Sequence, residues 1–423
     1  MLKRLWSINE KDIEKQSVFW NIMSSSINSI VSMFLLLVVT RVCGIVEAGI
    51  FSLGFSTSQM MLTIGNYGMR NYQATDLNNK YSMPVYLSSR VVTNIAMMII
   101  VVVFVLIEGY SWEKALVTIF LCLLKVTDAV DDVFGGYYQK NGRLDVSGKL
   151  MTFRIMSYVV VFCIVLVILK NLEIACVFAV CASSIALGLL VFSTNDLFQL
   201  ERPCRINQDV ICLLKECLPL CIGAFLQIYM ANIPKYAIDN YLSESYQACY
   251  NYLFMPCFVI NLFVGFALQP LLVKMSSAWL HREHKKFLKL CIYIYIGAVT
   301  LAAIVVMAGR LLGCQILSVV FGIDLMQYKE VLTILLIGGA FFAFSVIEQV
   351  ILTVMRRQIF LILGFGTASL LAFIVADSLV EEYKLMGAAW TYTISSAVLF
   401  GIQAILIICF YSRERRRCGC NNR

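Results

Sequence analysis

Histidine is nearly absent from this 423-residue chain, occurring twice, and charged residues make up only 14% of it. An average soluble protein carries charge on about a quarter of its residues. The two histidines, His281 and His284, share one lysine-rich segment with no third ligand beside them. A structural zinc site needs four ligands and a catalytic one three, so no metal is expected. No paired Cys-x-x-Cys and no glycine-rich phosphate loop occurs, and these are the usual marks of zinc and nucleotide sites. No connection between apolar runs is long enough to house a separate catalytic domain. Neither a cofactor nor an enzyme activity is therefore expected, and no catalytic residue is assigned.

Apolar residues are in excess: 60% of the chain, with a mean hydropathy of +0.81. Length in such a chain counts membrane spans rather than soluble domains. The sixteen cysteines are scattered, and most sit inside apolar runs, where a free thiol behaves as a small hydrophobe. Cys418 and Cys420 near the end are read as plain tail residues.

Apolar runs predict twelve helices, over about 17–40, 45–68, 89–108, 113–138, 150–169, 173–193, 216–239, 246–273, 288–309, 328–355, 359–378 and 386–411. Pro234, Pro256 and Pro270 are expected to break the seventh and eighth. Segments at alternate ends hold 26 of the 34 lysines and arginines, with Arg70, Arg90 and Arg154 counted in loops on the rich side. Basic residues remain in the cytoplasm, so both termini are expected there. The +8 net charge is then an orientation signal, and no nucleic-acid partner is implied. The tail Arg413-Glu-Arg-Arg-Arg417 is suited to anionic headgroups. The predicted plan is an all-α membrane protein with a six-helix bundle over 1–195, a cytoplasmic linker over 196–215, a second six-helix bundle over 216–411 and a basic tail over 412–423. Val46–Ser52 and Ser245–Asn251 open equivalent spans of the two halves, a faint echo of duplication.

One stretch breaks the apolar pattern. Lys125, Asp128, Asp131 and Asp132 lie in the inner half of the run from Trp112 to Tyr138. An unpaired charge at mid-bilayer costs about 2.5–3.5 kcal/mol on insertion scales. At 100° per residue Lys125, Asp128 and Asp132 share one stripe, while Asp131 points toward another helix. Two readings stand: a charged, wet cavity, or polar glue between helices. Further candidates for a cavity are Arg41, Lys235 and Asp239, the last two four residues apart on one helix face. Their plain alternatives are a snorkelling anchor and a surface ion pair. Glu348 is a lone carboxylate in the middle of the tenth span; with Asp128 it is a candidate for ion coupling. Tyr229, Tyr236, Tyr241, Tyr246, Tyr250 and Tyr252 crowd the seventh and eighth spans, either to stack on sugar or as an interfacial belt.

Four segments carry a resemblance. They are Thr40-Arg-Val-Cys-Gly44 with Glu47–Ser52; Gly65-Asn-Tyr-Gly-Met-Arg70 with Tyr72–Asp76; Asp131-Asp-Val-Phe-Gly-Gly-Tyr-Tyr-Gln139 with Arg143-Leu-Asp145; and Asn232-Ile-Pro-Lys-Tyr-Ala-Ile-Asp-Asn-Tyr241. In their order they resemble bacterial polysaccharide-repeat flippases of the Wzx type, within the multidrug/oligosaccharidyl-lipid/polysaccharide exporter superfamily. The resemblance implies two helix bundles about a central cavity that opens alternately to each side of the bacterial cytoplasmic membrane. It implies a substrate of polyprenyl pyrophosphate bearing a sugar repeat unit. It also implies membrane lipids as surroundings, H+ or Na+ as a coupling ion, and glycosyltransferases and a polymerase as companions. The alternatives are a drug-cation antiporter of the same superfamily, which would favour acidic cavity residues, and a membrane glycosyltransferase or polymerase.

The orientation is directly testable. Reporter domains fused at Leu172 and at Gly142 should read outside and inside the cell respectively. The reverse at either site overturns the charge-based topology.

Overall fold

The computed structural model describes residues 6, 12–76, 80–198, 201–355, 357 and 359–420. The described residues are helical, with no strand among them. In hydrocarbon each backbone N–H and C=O must be satisfied within its own segment, and a helix does this. The helices are α1 Ile13–Cys43, α2 Ile45–Asn66, α3 Met69–Thr75, α4 Met83–Ile107, α5 Trp112–Lys140, α6 Leu144–Leu169 and α7 Leu172–Phe198. They continue with α8 Gln208–Tyr241, α9 Glu244–Leu280, α10 His284–Ala308, α11 Cys314–Phe321, α12 Lys329–Val354, α13 Ile359–Tyr383 and α14 Leu385–Cys420.

By length and composition, nine helical stretches among the described residues suffice to cross a membrane. The long helices α2, α5 and α9 fall outside that set. For α5 the reason is the charge along it, from Lys125 to Asp132.

Several helices outrun the apolar runs that predicted them. Helix α4 begins at Met83, because Pro84 stands in its first turn, where no intrahelical N–H is needed. Helix α6 begins at Leu144 and α8 at Gln208. Residues 208–215, expected in the linker, are therefore helical. The ninth span does not stop near 309. It widens through a π-type turn over Gly309–Gly313, which contains Arg310, and continues as α11. Helices α8 and α9 run through Pro234, Pro256 and Pro270 without interruption, against expectation. A proline removes one hydrogen bond, and neighbouring helices can satisfy the freed carbonyl.

Short turns join the helices at one end. Gly44 separates α1 from α2 with φ of +95°, and its N–H bonds the Thr40 carbonyl at 3.2 Å. Lys170, at φ +49°, ends α6 in the left-handed conformation.

Contacts divide the chain into two compact units, Met1–Phe225 and Leu226–Arg423, with the boundary inside α8. In the first unit α5 is the axis: α2, α3, α4, α6 and α7 all pack on it. Helices α1 and α6 form a second close pair. In the second unit α12 is the axis, with α9, α10 and α14 against it. The window of α12 is 61% buried, whereas α8 and α10 bury about a fifth of theirs. Exposed Ile, Leu, Phe and Val on the peripheral helices form the lipid-facing surface expected of such a protein.

The α1–α6 pair depends on a missing side chain. A Cβ at Gly148 would lie 2.6 Å from the Trp20 backbone. Gly148→Ala should therefore destabilise the protein by about 1–3 kcal/mol, read as a lower melting temperature in detergent. Gly401→Ala is the control, since a Cβ there meets nothing within 4 Å. It should leave the melting temperature unchanged or raise it.

Candidate functional site

The charged stretch of α5 is the centre of an ionic network within the first unit. Helical spacing sets its sides. Lys125 and Asp128, one turn apart, meet directly: the lysine Nζ donates to Asp128 Oδ2 at 2.7 Å. Asp131 points to another helix, as its spacing predicts. There Arg154 of α6 donates from Nε to Asp131 Oδ2 at 2.8 Å and from Nη1 to Asp128 Oδ1 at 2.6 Å. The same Nη1 reaches Thr127 Oγ1 and Ser183 Oγ at 3.3 Å, and these two hydroxyls lie 2.6 Å apart. Asp132, one turn below Asp128, is held by Arg90 of α4 at 2.9 Å and by Arg70 at 3.6 Å. Arg90 also donates to the Gly65 carbonyl, and Arg70 to Ser147 Oγ at 3.3 Å.

Four cations thus face three carboxylates across four helices, α3, α4, α5 and α6. Burying an ion costs several kcal/mol unless partners and hydrogen bonds compensate. Here Arg90, Lys125 and Arg154 are each 1% exposed, and each is held by a carboxylate. Arg70 is the most open member of the network, its side chain 30% exposed.

Position 125 offers no open face. Its ammonium lies 4.8 Å from the Phe55 ring centre and on Asp128. The pairs formed at this stretch run within α5 and between α5 and its neighbours, and Lys125 is 1% exposed. Arg90 and Arg154, the network's main cations, are counted with the cytoplasmic loops in the charge argument, although the predicted spans 89–108 and 150–169 contain them. The structure places both inside helices, α4 and α6. One signal points to them: three intramembrane carboxylates against a single lysine is an imbalance that neighbouring helices must correct. Moving these two arginines off the loop side does not reverse the basic excess there.

The other candidates are placed separately. Arg41 is exposed in the last turn of α1, where a cation suits the carboxyl end of a helix. Lys235 is buried on α8 in the second unit, its Nζ 5.2 Å from the Phe254 ring centre. Asp239 is half-buried one turn further along. Tyr250 and Tyr252 belong to the core: Tyr252 stacks on Phe321 at 4.1 Å and Tyr250 on Phe254 at 5.9 Å. Tyr241 is exposed. The side chains of Cys418 and Cys420 lie outside the described residues.

Glu348 is the opposite case from the α5 carboxylates. It is 1% exposed on α12, and Tyr295 of α10 donates to its Oε1 at 3.2 Å. Its Oε2 is buried without a hydrogen-bond partner. No ion pair to it is found among the described residues. No group of three His, Cys, Asp or Glu suited to a metal occurs there either.

A model of the family described as polysaccharide biosynthesis protein matches residues 15–276. The capsular polysaccharide biosynthesis protein CapF of Staphylococcus aureus is 26% identical over an alignment of 335 residues that covers 76% of this chain and 81% of that one. Among solved structures, a multidrug resistance MATE family transporter of the MOP superfamily in its inward-facing conformation gives a TM-score of 0.69. That match covers 92% of this chain and 96% of the other at 12% identity. The lipid II flippase MurJ, in an inward closed conformation, gives 0.70 over 93% and 89% of the two chains at 10% identity. At those identities the likeness is one of fold.

The network makes a stability prediction. Arg154→Met strands Asp131 and half of the pairing of Asp128, which should cost about 3–5 kcal/mol. The double variant Arg154→Met/Asp131→Leu should recover a large part of it, because one stranded charge is removed with its partner. Melting in detergent and the amount of folded protein in the membrane both report this. A double variant no better than the single one contradicts the pairing.

Proposed function

Because the chain belongs to the polysaccharide biosynthesis protein family, we propose that it moves a lipid-linked oligosaccharide across the bacterial cytoplasmic membrane. The substrate in this reading is a polyprenyl pyrophosphate bearing a sugar repeat unit. The family match over most of the first three hundred residues is the observation that carries it. The fold shared with both a transporter and a lipid flippase supports a carrier rather than an enzyme. Movement is by alternating access of two six-helix bundles, 1–195 and 216–411, with twelve spans and both termini cytoplasmic. Glycosyltransferases and a polymerase would supply the substrate and consume the product.

An anionic head calls for basic groups near the transport path. The α5 network holds one more cation than it has carboxylates, and Arg70 is its least buried cation. In this reading Arg70 meets the pyrophosphate, for which its planar fork is suited. Lys125, Asp128 and Asp132 set the charge of the wall behind it. Arg41, Lys235 and Asp239 are assigned as further substrate contacts. Coupling to H+ or Na+ falls to Glu348 rather than Asp128. Asp128 is already neutralised by two cations, whereas Glu348 has one hydroxyl donor and one free oxygen.

Everted membrane vesicles loaded with a labelled lipid-linked oligosaccharide test the reading. Label should become protected inside the vesicles only where the protein is present. Arg70→Gln should lower the initial rate about tenfold, the loss expected for one charge-assisted contact. Glu348→Gln keeps hydrogen bonding and should leave folding intact while abolishing the response to an imposed ion gradient. An unchanged gradient response assigns Glu348 to packing, and absence of protein-dependent protection overturns the transport reading.

A further inference from the structure

A furrow lies on the first unit between α5 and α7, with a volume of about 720 Å³. That falls within the usual range for ligand sites, roughly 300–1,000 Å³. Its walls are Val130 and Phe134 of α5 and Leu187 and Val191 of α7. These residues recur every three or four positions and so form one face of each helix.

Its length and polarity narrow what it can hold. Along α7 the lining runs from Ser184 to Asn195, which is about 16 Å at 1.5 Å per residue. Half the hydrocarbon thickness of a bilayer is about 15 Å. The furrow therefore spans one leaflet. The cytoplasmic end, in the orientation set by charge, carries Asn195 and the exposed Arg202. The deep end carries Thr127, whose hydroxyl accepts from Arg154 of the ionic network. A cation at the headgroup level and an apolar channel one leaflet deep describe a lipid with an anionic head.

Gly188 leaves one stretch of the α7 wall without a side chain, and a Cβ there would meet nothing within 4 Å. A hydrocarbon chain can lie directly against the helix at that point.

We propose that this furrow seats the isoprenoid tail of the lipid-linked substrate in the cytoplasmic leaflet, with its first phosphate at Arg202. The assignment rests on the proposed lipid-linked substrate and adds where the tail lies. A filled furrow also seals Thr127, and with it the Arg154 pairs, from water entering along the helix interface.

A photoreactive polyprenyl phosphate, added to the purified full chain in lipid nanodiscs, tests it without requiring transport. Cross-linked peptides should come from the Ser184–Asn195 face of α7. Excess unlabelled polyprenyl phosphate should compete, and equal phosphatidylglycerol should not. Gly188→Leu puts a side chain into the furrow from a position where its Cβ meets nothing within 4 Å, and should reduce labelling about tenfold, with melting unchanged. Arg202→Gln should reduce labelling by the phosphate but not by the matching polyprenol. Equal competition by phosphatidylglycerol makes the furrow a bulk-lipid contact and overturns the assignment. So does labelling that ignores both substitutions. Labelling as expected in a protein that protects no lipid-linked oligosaccharide in vesicles would keep the tail seat and remove the transport reading. Transport with labelling elsewhere would do the reverse.

Discussion

Ions buried away from water must be compensated locally, and the first unit is organised around that requirement. The α5 carboxylates are met by Arg154 of α6 and Arg90 of α4, and Ser183 of α7 accepts a further bond from Arg154. The charged contacts at 2.6–2.9 Å fix how α4, α5 and α6 are rotated about their axes. Apolar packing alone is permissive here, because lipid tails are as apolar as leucine and drive no helix association. The ionic network supplies the specificity that hydrophobicity cannot. Replacing such networks with well-packed apolar residues is often neutral for stability, so stability alone does not call for a polar interior of this kind. In the reading proposed above, the excess cation, Arg70, is where packing and substrate binding separate.

Much of this was legible from residues alone. Long apolar runs became helices, since a spanning chain has no other way to satisfy its backbone. The 100° rule placed Lys125 against Asp128 and turned Asp131 outward to a neighbour. The cations that answer those carboxylates were not legible. The predicted spans 89–108 and 150–169 contain Arg90 and Arg154 close to their starts, but the charge count places both with the loops, so neither is recognised as a partner for the carboxylates. A helix continues while its backbone bonds continue, and Pro84 and Asp145 mark starts that lie one to two turns earlier. The same error shortened the ninth span, where Arg310 is carried in a widened turn with its head toward solvent, 3.6 Å from Glu330. Tyr250 and Tyr252 were misjudged for a related reason. Aromatic clustering records burial and interface alike, and only the contact with Phe321 and Phe254 separates the two.

The two units place their intramembrane carboxylates on corresponding helices. Helix α5 is the fourth long helix of the first unit and α12 the fourth of the second. Each is the packing axis of its unit, and each carries acid at mid-span. Their compensation is opposite. On α5 the three carboxylates are met by four cations; on α12 Glu348 is met by a tyrosine hydroxyl. A compensated network is fixed, because removing any member strands a charge. A solitary carboxyl can change its partner, exchanging a proton or a cation without dismantling its surroundings. The division matches the roles proposed above, fixed charge facing an anionic head in the first unit and exchangeable charge in the second.

That division constrains how ion binding can influence the substrate. If Glu348 is the coupling site proposed above, an ion there leaves the α5 pairs intact and acts on the substrate by changing the relative population of conformations rather than by discharging the α5 network. The shift available is then bounded by the difference in ion affinity between those conformations. A tenfold difference in affinity is worth about 1.4 kcal/mol. That is smaller than the cost of breaking one buried pair on α5, about 3–5 kcal/mol. In the proposed cycle the α5 network would then move as one block, leaving its least buried cation, Arg70, and Thr127 at the floor of the furrow between α5 and α7 as the places where substrate is met.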